Sequence, residues 1–385
     1  MSKVILGEGL VTSEGELWRQ QRHLLQPAFR AERIRGFVRV MREQAEACAV
    51  RWQQAAEKTA VLDVSREMSD LALQIVVRCM FGQDTHEELD VRDAVHEAQA
   101  WISDRLWSLA PDWTERLPTR TNRRFRRSLA TLNGAVESII ARRLRTTARD
   151  DDLLGMLVTA QQAGESIKAR QLRDEVMTLL LAGHETSATV LAWAWHLLGE
   201  NPSAAEGISA EVKQTIGPSR GIEAEDLASL TVTRAVIQET MRLYPPAAWF
   251  ARLAAGPDRI GGFAIPSGAI VLLSPWLTQR DRRFWSDPDR FAPERFVSHE
   301  RPSAYTYFPF GGGPRTCLGN HFAMTEMLVV LATLVPHLRL VHAQPGVPVR
   351  TELLLMLRPA GGLLMRPVER KQSEPMAPID TCLPR

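Results

Sequence analysis

A chain of 385 residues, 45% hydrophobic and 24% charged, has globular composition with ample apolar material for a large core. A formal net charge of +2 gives no overall field for nucleic acid, and four cysteines (Cys48, Cys79, Cys317 and Cys382) match neither a CxxC zinc pattern nor a disulfide framework. Mostly unpaired thiols suit a reducing cytoplasm, no signal peptide opens the chain, and no apolar run reaches membrane-spanning length without charge.

The first two-thirds reads as helix. "SEGELWRQQRHLLQPAF" opens with Ser13 as N-cap and Glu16 three residues on, a capping-box pattern. Apolar residues at three- and four-residue spacing predict helices near 31–57, 65–81, 87–108, 119–148 and 151–162, with Cys48 and Cys79 buried in two of them. "RTNRRFRR" (120–127) and "ARRLRTTAR" (141–149) read either as a solvated helix face or as a docking patch for an acidic partner. Residues 171–200 form the longest candidate, roughly 45 Å at the helical rise. His184 and Glu185 interrupt its apolar run, so it reads as a buried core helix, and Asn201-Pro202 ends it. Helices at 204–217 and 231–244 follow, the second stopped by Pro245-Pro246.

Then the pattern changes. "RIGGFAIPSGAIVLLS" has short β-branched runs cut by Gly-Gly and Pro-Ser-Gly, which predicts hairpin strands. "HFAMTEMLVVLATLVPHL" is a helix, and "TELLLMLRPAGGLLMRPV" reads as one more hairpin around Gly361-Gly362. The fold class is mainly α with a small β part, helices and strands not alternating. One domain is expected over 1–385: helix-rich at 12–245 and 320–337, β-rich with a glycine loop at 246–319, a hairpin at about 350–368, and a disordered tail at 369–385.

Three stretches carry chemistry. In "FPFGGGPRTCLGN" (308–320), Cys317 stands two residues before Gly319 at a helix N-terminus. Free backbone N–H groups, the dipole and Arg315 would favour a thiolate there. Such a sulfur is a nucleophile, a metal ligand or merely structural; His321 and His299 are near in sequence, but no known signature pairs them with it. As an axial haem ligand it would push electron density toward iron, and the glycines would let the backbone lie against a macrocycle. In "AGHETS" (182–187), Leu179, Ala182, Gly183, Thr186 and Val190 share one helical face. Small residues there admit something large and flat, Thr186 can bond a carbonyl one turn back, and Glu185 can carry a proton. A functionless buried kink is the other reading; an HExxH zinc site fails because position 188 is Ala188. In "ETMR", Glu239 and Arg242 stand at i and i+3; a surface pair would contribute about 0.2–0.5 kcal/mol, whereas a buried one needs further partners. "PERF" offers one in Arg295.

Taken together and in order, these motifs resemble the cytochrome P-450 family. F-x-x-G-x-R-x-C-x-G (Phe310, Gly313, Arg315, Cys317, Gly319) looks like its haem-ligand loop, "AGHETS" like its oxygen-activation motif, and "ETMR" with "PERF" like its E-x-x-R triad. "LWRQQRHLLQPAF" is similar to its W-x-x-x-R helix, here Trp18 and Arg22, so the resemblance covers nearly the whole chain. It implies the family fold and haem b, with Cys317 as the iron ligand, the amides of Leu318 and Gly319 on the sulfur, and Phe310 and Gly311 beside it. Trp18, Arg22, Arg252 and Arg315 would take the propionates. Ala182 and Gly183 would face the macrocycle, Thr186 would position dioxygen, and Glu185 would relay protons. Glu239, Arg242 and Arg295 would be a structural triad.

The implied activity is that of a monooxygenase, placing one oxygen atom in a hydrophobic small molecule and reducing the other to water. Electrons would come ultimately from NAD(P)H through a separate ferredoxin or flavodoxin-type partner, docking near Arg19, Arg22 and Arg315, because no flavin or iron–sulfur motif is present. By the same resemblance, Leu179, Ala247, Ala248, Trp249, Phe250 and the tip at Gly361 to Leu363 would line the substrate pocket; core packing is the alternative for Trp249 and Phe250. A cytoplasmic monomer without membrane anchor or nucleic-acid partner is expected. The match begins almost at Met1, where family members carry a further segment that builds early strands and covers the pocket. An exposed sheet edge near 260–273 and a thinned pocket roof are therefore expected. They leave a competing function, a haem-binding but catalytically impaired remnant; a structural helical protein or unrelated cysteine enzyme is the third.

Overall fold

Apolar residues recurring every three or four positions can be buried together only on a helix, and most of the described residues before 245 are helical. A computed structural model describes residues 3–82, 88–106, 108, 112–145, 152–162, 168–217, 220–297, 303 and 305–370. Its helices are α1 (Lys3–Leu6), α2 (Gly15–Leu25), α3 (Ala31–Gly36), α4 (Val38–Glu57), α5 (Val64–Phe81), α6 (Glu88–Leu106) and α7 (Arg120–Arg145). They continue with α8 (Leu153–Gln162), α9 (Ala169–Glu200), α10 (Pro202–Thr215), α11 (Thr231–Leu243), α12 (Pro275–Thr278) and α13 (Asn320–Leu334). The strands are β1 (Leu62–Asp63), β2 (Phe250–Leu253), β3 (Asp258–Ile260), β4 (Phe263–Ile265), β5 (Ile270–Leu273), β6 (Leu338–His342), β7 (Thr351–Leu353), β8 (Leu357–Pro359) and β9 (Leu364–Glu369).

The core is built on α5 and α9, which pack along each other. Both are apolar on most sides, the pattern of a helix sealed within a protein. α4 packs on α13 and on α5, and Trp52 of α4 meets Trp195 of α9 at a ring separation of 5.4 Å. Asp63 starts α5: its Oδ1 accepts from the amides of Ser65 and Arg66 and, across 300 residues, from that of Leu363 at 3.0 Å. One side chain thus caps a helix and ties the C-terminal strand to it. α6 and α7 form a flanking pair with Trp101 stacked on Phe125 at 3.9 Å. On α7, Arg124 is bound to Glu97 at 2.7 Å and Arg143 to Asp152 at 3.1 Å, so part of this arginine cluster serves the fold. Among the described residues no helix is long and apolar enough to cross a membrane.

Three expectations need correction. The helix after Ser13 begins at Gly15 with Glu14 at its cap and no side-chain capping bond; Ser13 is buried and donates to the Gln21 side chain instead. The terminal segment is not one hairpin about Gly361-Gly362. β7 pairs with β8, while β9 lies between β1 and β6 in an antiparallel sheet, Leu62 opposite Met365 and Met365 opposite His342. Glu369 is the last residue of β9 rather than the start of a tail; residues 371–385, with Cys382, lie outside the described residues, as does His299. Cys48 and Cys79 are buried as expected, and burial pushes the Cys48 thiol up to about 12. Near 260–273 the expected exposure is present: β2–β5 and β3–β4 are two-stranded, and Leu253, Ile260, Phe263, Ile270 and Leu272 are half or more exposed.

Candidate functional site

The glycine loop folds on itself before α13. The Gly311 amide donates to Phe308 O at 2.9 Å, the Thr316 amide to Gly313 O at 3.0 Å, and the Cys317 amide back to Phe310 O at 3.0 Å. Gly311 and Gly313 sit at φ of 73° and 72°, the left-handed region where a side chain would be strained. Phe310 and Leu318 pack against the core, while Cys317 between them is exposed. Opening of the sulfur does not amount to full solvation. Burial still raises its pKa above the usual thiol value, opposed by the Gly319 amide and the charge of Arg22. The helix end and Arg315 therefore do not yield a free thiolate, as the sequence suggested. A metal ion, which deprotonates a coordinating thiol outright, would complete it.

Two arginines pin this loop to α2. Arg22 donates to Thr316 O at 3.0 Å, and Arg315 donates to Ser13 O at 2.7 Å. Both guanidiniums lie over the Trp18 ring, at 5.8 and 4.7 Å from its centroid. Arg22, Arg315 and Trp18, distant in sequence, thus form one cationic cluster beside Cys317. Neither arginine is a free surface charge, and the exposed Arg19 is already paired with Glu16 at 3.0 Å. Phe250 at the start of β2 faces Phe308, ring centroids 6.4 Å apart; Arg252, two residues on, is exposed.

α9 is sealed along most of its length and opens at one turn. Ala182 is exposed, and Gly183, Glu185 and Thr186 are partly so, between buried Leu179 and Val190. Thr186 Oγ1 donates to Ala182 O at 3.0 Å, the back-bond foreseen from its spacing. Glu185 lies 3.3 Å from His184 Nε2, and Ser69 donates to it at 3.5 Å. Burial pushes its carboxyl up, but the adjoining His184 imidazole, with Arg358 and His96 farther off, outweighs this and leaves it below the ordinary value. Sequence reasoning missed the next position. Ser187 reaches toward Glu326 of α13, sealed with neither carboxylate oxygen in a well-formed hydrogen bond. Burial pushes that carboxyl up to about 8, the Ser187 hydroxyl only partly offsetting it.

The structure also joins the third set. Glu239 and Arg242, both fully buried, pair through 2.7 and 2.9 Å bonds, and Arg295 Nε is 3.5 Å from the same carboxylate. Arg242 spends its remaining donors on Gln279 O, Pro288 O and Arg290 O at 2.8, 2.7 and 3.2 Å, and stacks over Trp285. Ala292 N donates to Glu239 at 2.8 Å. Of the substrate contacts expected from sequence, Ala248 is buried and Trp249 half-buried. Leu363 is misplaced by that reading: only 1% exposed, it belongs to the core, its amide held by Asp63 and its carbonyl by Val64 N at 2.7 Å.

The family description Cytochrome P450 matches residues 1–367. The chain belongs to the cytochrome P-450 family. Cyclooctatin synthase of Streptomyces melanosporofaciens is 37% identical over 384 residues, 96% of this chain and 80% of that protein. Cyclooctat-9-en-7-ol 5-monooxygenase of the same organism is 33% identical, covering 88% and 74% of the two chains, and pentalenene oxygenase of Streptomyces avermitilis is 34% identical, covering 90% and 76%. Membership makes this chain an oxidoreductase of the haem-thiolate monooxygenase class, with haem as cofactor. The residues present fit that group. Among the described residues, this P-450 has the exposed Cys317 at a loop end, a cationic cluster beside it, and on α9 a small-residue opening between sealed turns.

Proposed function

We propose that this cytochrome P-450 inserts one oxygen atom from dioxygen into an apolar alkene or alkenol, the other atom leaving as water. The carrying observation is the open turn of α9. Thr186 is turned back onto Ala182 O, and beside it Glu185 is held below the ordinary carboxylate range by His184. Bound haem supplies dioxygen activation and oxygen-atom transfer. Cys317 offers the sulfur ligand, with the Gly319 amide and Leu318 at its side. Arg22, Arg252 and Arg315 provide the cationic fork for propionates, with the Trp18 indole N–H as a neutral donor beside them. Phe310, Gly311, Ala182 and Gly183 shape the walls. Thr186, its single O–H given to Ala182 O, presents Oγ1 as an acceptor, and Glu185, ionised at neutral pH, accepts a proton and passes it on. Leu179, Ala248 and Trp249 make apolar contact with substrate, and two relatives' names supply its class: pentalenene, and cyclooctat-9-en-7-ol.

Electrons arrive from NAD(P)H through a ferredoxin or flavodoxin-type protein, and the enzyme works as a cytoplasmic monomer. A second reading, haem binding with impaired turnover, draws on the exposed apolar side chains of β2–β5 and β3–β4. Reduced protein with carbon monoxide should give the red-shifted Soret band of a thiolate ligand, lost in Cys317→Ala; its absence from the wild type defeats the haem-thiolate assignment. With a surrogate reductase and an apolar cyclic alkene, the wild type should couple reductant use to product, and Thr186→Ala should divert reductant to peroxide or water. A normal band without product favours the second reading.

A further inference from the structure

Away from the Cys317 loop, three ligand-type side chains converge where α9 ends on β6. His196 and Glu200 stand at i and i+4 on α9, hence on one face. His342 is the last residue of β6. His196 Nδ1 and His342 Nε2 are 3.1 Å apart, and the same His342 nitrogen is 3.1 Å from Glu200 Oε1. One donor atom from each residue falls within 4.8 Å of the others. Gly199 permits the approach: a Cβ there would stand 2.7 Å from Met365 Cε, 3.3 Å from Leu340 O and 3.6 Å from His342 Nε2.

We infer that His196, Glu200 and His342 form a binding site for a divalent transition metal, zinc being the plainest case, that clamps the C-terminal end of α9 to the β1–β9–β6 sheet. The proton inventory argues for it. His342 Nε2 carries either one hydrogen or one lone pair. With the hydrogen, it must share one proton between Glu200 and His196. With the lone pair, it accepts from His196 but faces the Glu200 carboxylate, acceptor against acceptor. A cation at the centre satisfies all three atoms at once.

The separations agree. Ligands about 2.1 Å from zinc lie roughly 3.0–3.4 Å from one another at octahedral to tetrahedral angles. Both measured separations are 3.1 Å. Glu200, largely exposed, is free to swing in. His196 is half-buried, and burial favours the neutral imidazole, the ligating form. Two imidazoles and a carboxylate suit zinc, copper or nickel over magnesium or calcium, and the negative end of the α9 dipole favours a cation. Three protein ligands leave a position for water.

The test uses untagged, haem-loaded protein, in which iron occupies Cys317. After removal of adventitious metal, it is dialysed against micromolar zinc chloride and bound zinc is counted by elemental mass spectrometry. About one zinc per chain is expected, as for a single mononuclear site, with a rise in melting temperature. His196→Gln/His342→Gln should lose both. Glu200→Gln, an exposed change that spares folding, should weaken zinc affinity by at least about tenfold, the smaller end of what even a supporting contact contributes. No stoichiometric zinc in the wild type, zinc retained by the double variant, or unchanged affinity in Glu200→Gln would each overturn the assignment.

Discussion

The Glu239–Arg242 pair and the strands β2–β5 and β3–β4 reverse the usual placement of residues in opposite directions. In the first, two full charges lie at 0% exposure; in the second, Phe263, Leu253 and Ile270 stand 70% exposed or more. The buried charges are tolerated because nothing in them is unanswered. All five Arg242 N–H donors meet an oxygen, and Glu239 also accepts Ala292 N and faces Arg295. The exposed apolar strands are held by two-stranded pairing, a marginal arrangement without a packed face. Partner satisfaction, more than polarity, decides what each region contributes to stability.

The sharpest way to break that contrast is Arg242→Met, which strands a buried carboxylate. It should cost about 3–5 kcal/mol, read from the midpoint of chemical unfolding. Glu239→Met/Arg242→Met should recover only part, because Gln279 O, Pro288 O and Arg290 O lose their donor and Ala292 N its acceptor. Full recovery would show the pair to be isolated from its backbone partners.

Glu326 is the opposite case, a buried carboxyl with poor partners. Its folded pKa of about 8 exceeds the ordinary carboxylate value, so the folded state binds its proton more tightly than the unfolded chain. That contribution is complete below about pH 4.5 and is lost as pH rises to about 8. Between pH 5 and 8 the loss should be on the order of 2–4 kcal/mol. Glu326→Gln should flatten this slope in unfolding measured across that range. A slope unchanged by the substitution would assign the pH dependence elsewhere.

Smaller still is the cap. Asp63→Ala removes the acceptor for the Ser65, Arg66 and Leu363 amides and should cost about 1–2 kcal/mol. Because one of those amides is distant in sequence, hydrogen exchange should quicken at Leu363 as well as in the first turn of α5. Exchange confined to α5 would reduce Asp63 to an ordinary local cap.

Asp63 also shows what could be read from sequence. Helices with long apolar periodicity, among them α5, α7 and α9, declared themselves, as did the Thr186 back-bond, since these depend on residues within a turn or two of each other. Ser13 was misread because helix start is decided by backbone: Gly15 stands at φ 59°, and Ser13 is drawn to Gln21. The Gly361-Gly362 turn was misread because β9 pairs with strands far off in sequence rather than with its neighbour. At the site, the loop residues were recognisable by spacing, but the raised Cys317 pKa and the capture of Arg22 and Arg315 by backbone carbonyls follow from packing. His196 and Glu200, one helical turn apart, went unread in the sequence, and nothing local links them to His342, 146 positions beyond His196.

The smallest stability effect is expected on the exposed strands, and it tests the comparison from its other side. Phe263, 76% exposed, and Leu272, 63% exposed, give up little burial when replaced. Phe263→Ser and Leu272→Ser should therefore shift unfolding by no more than about 0.5 kcal/mol each. Their effect should appear in solution behaviour, because contiguous apolar side chains on open strand edges promote association. Light scattering at rising concentration should show less self-association in the double variant than in the wild type, with the carbon monoxide band unchanged. A loss of stability comparable to Arg242→Met would mean that these side chains are packed in solution, and the two regions would then obey the same rule.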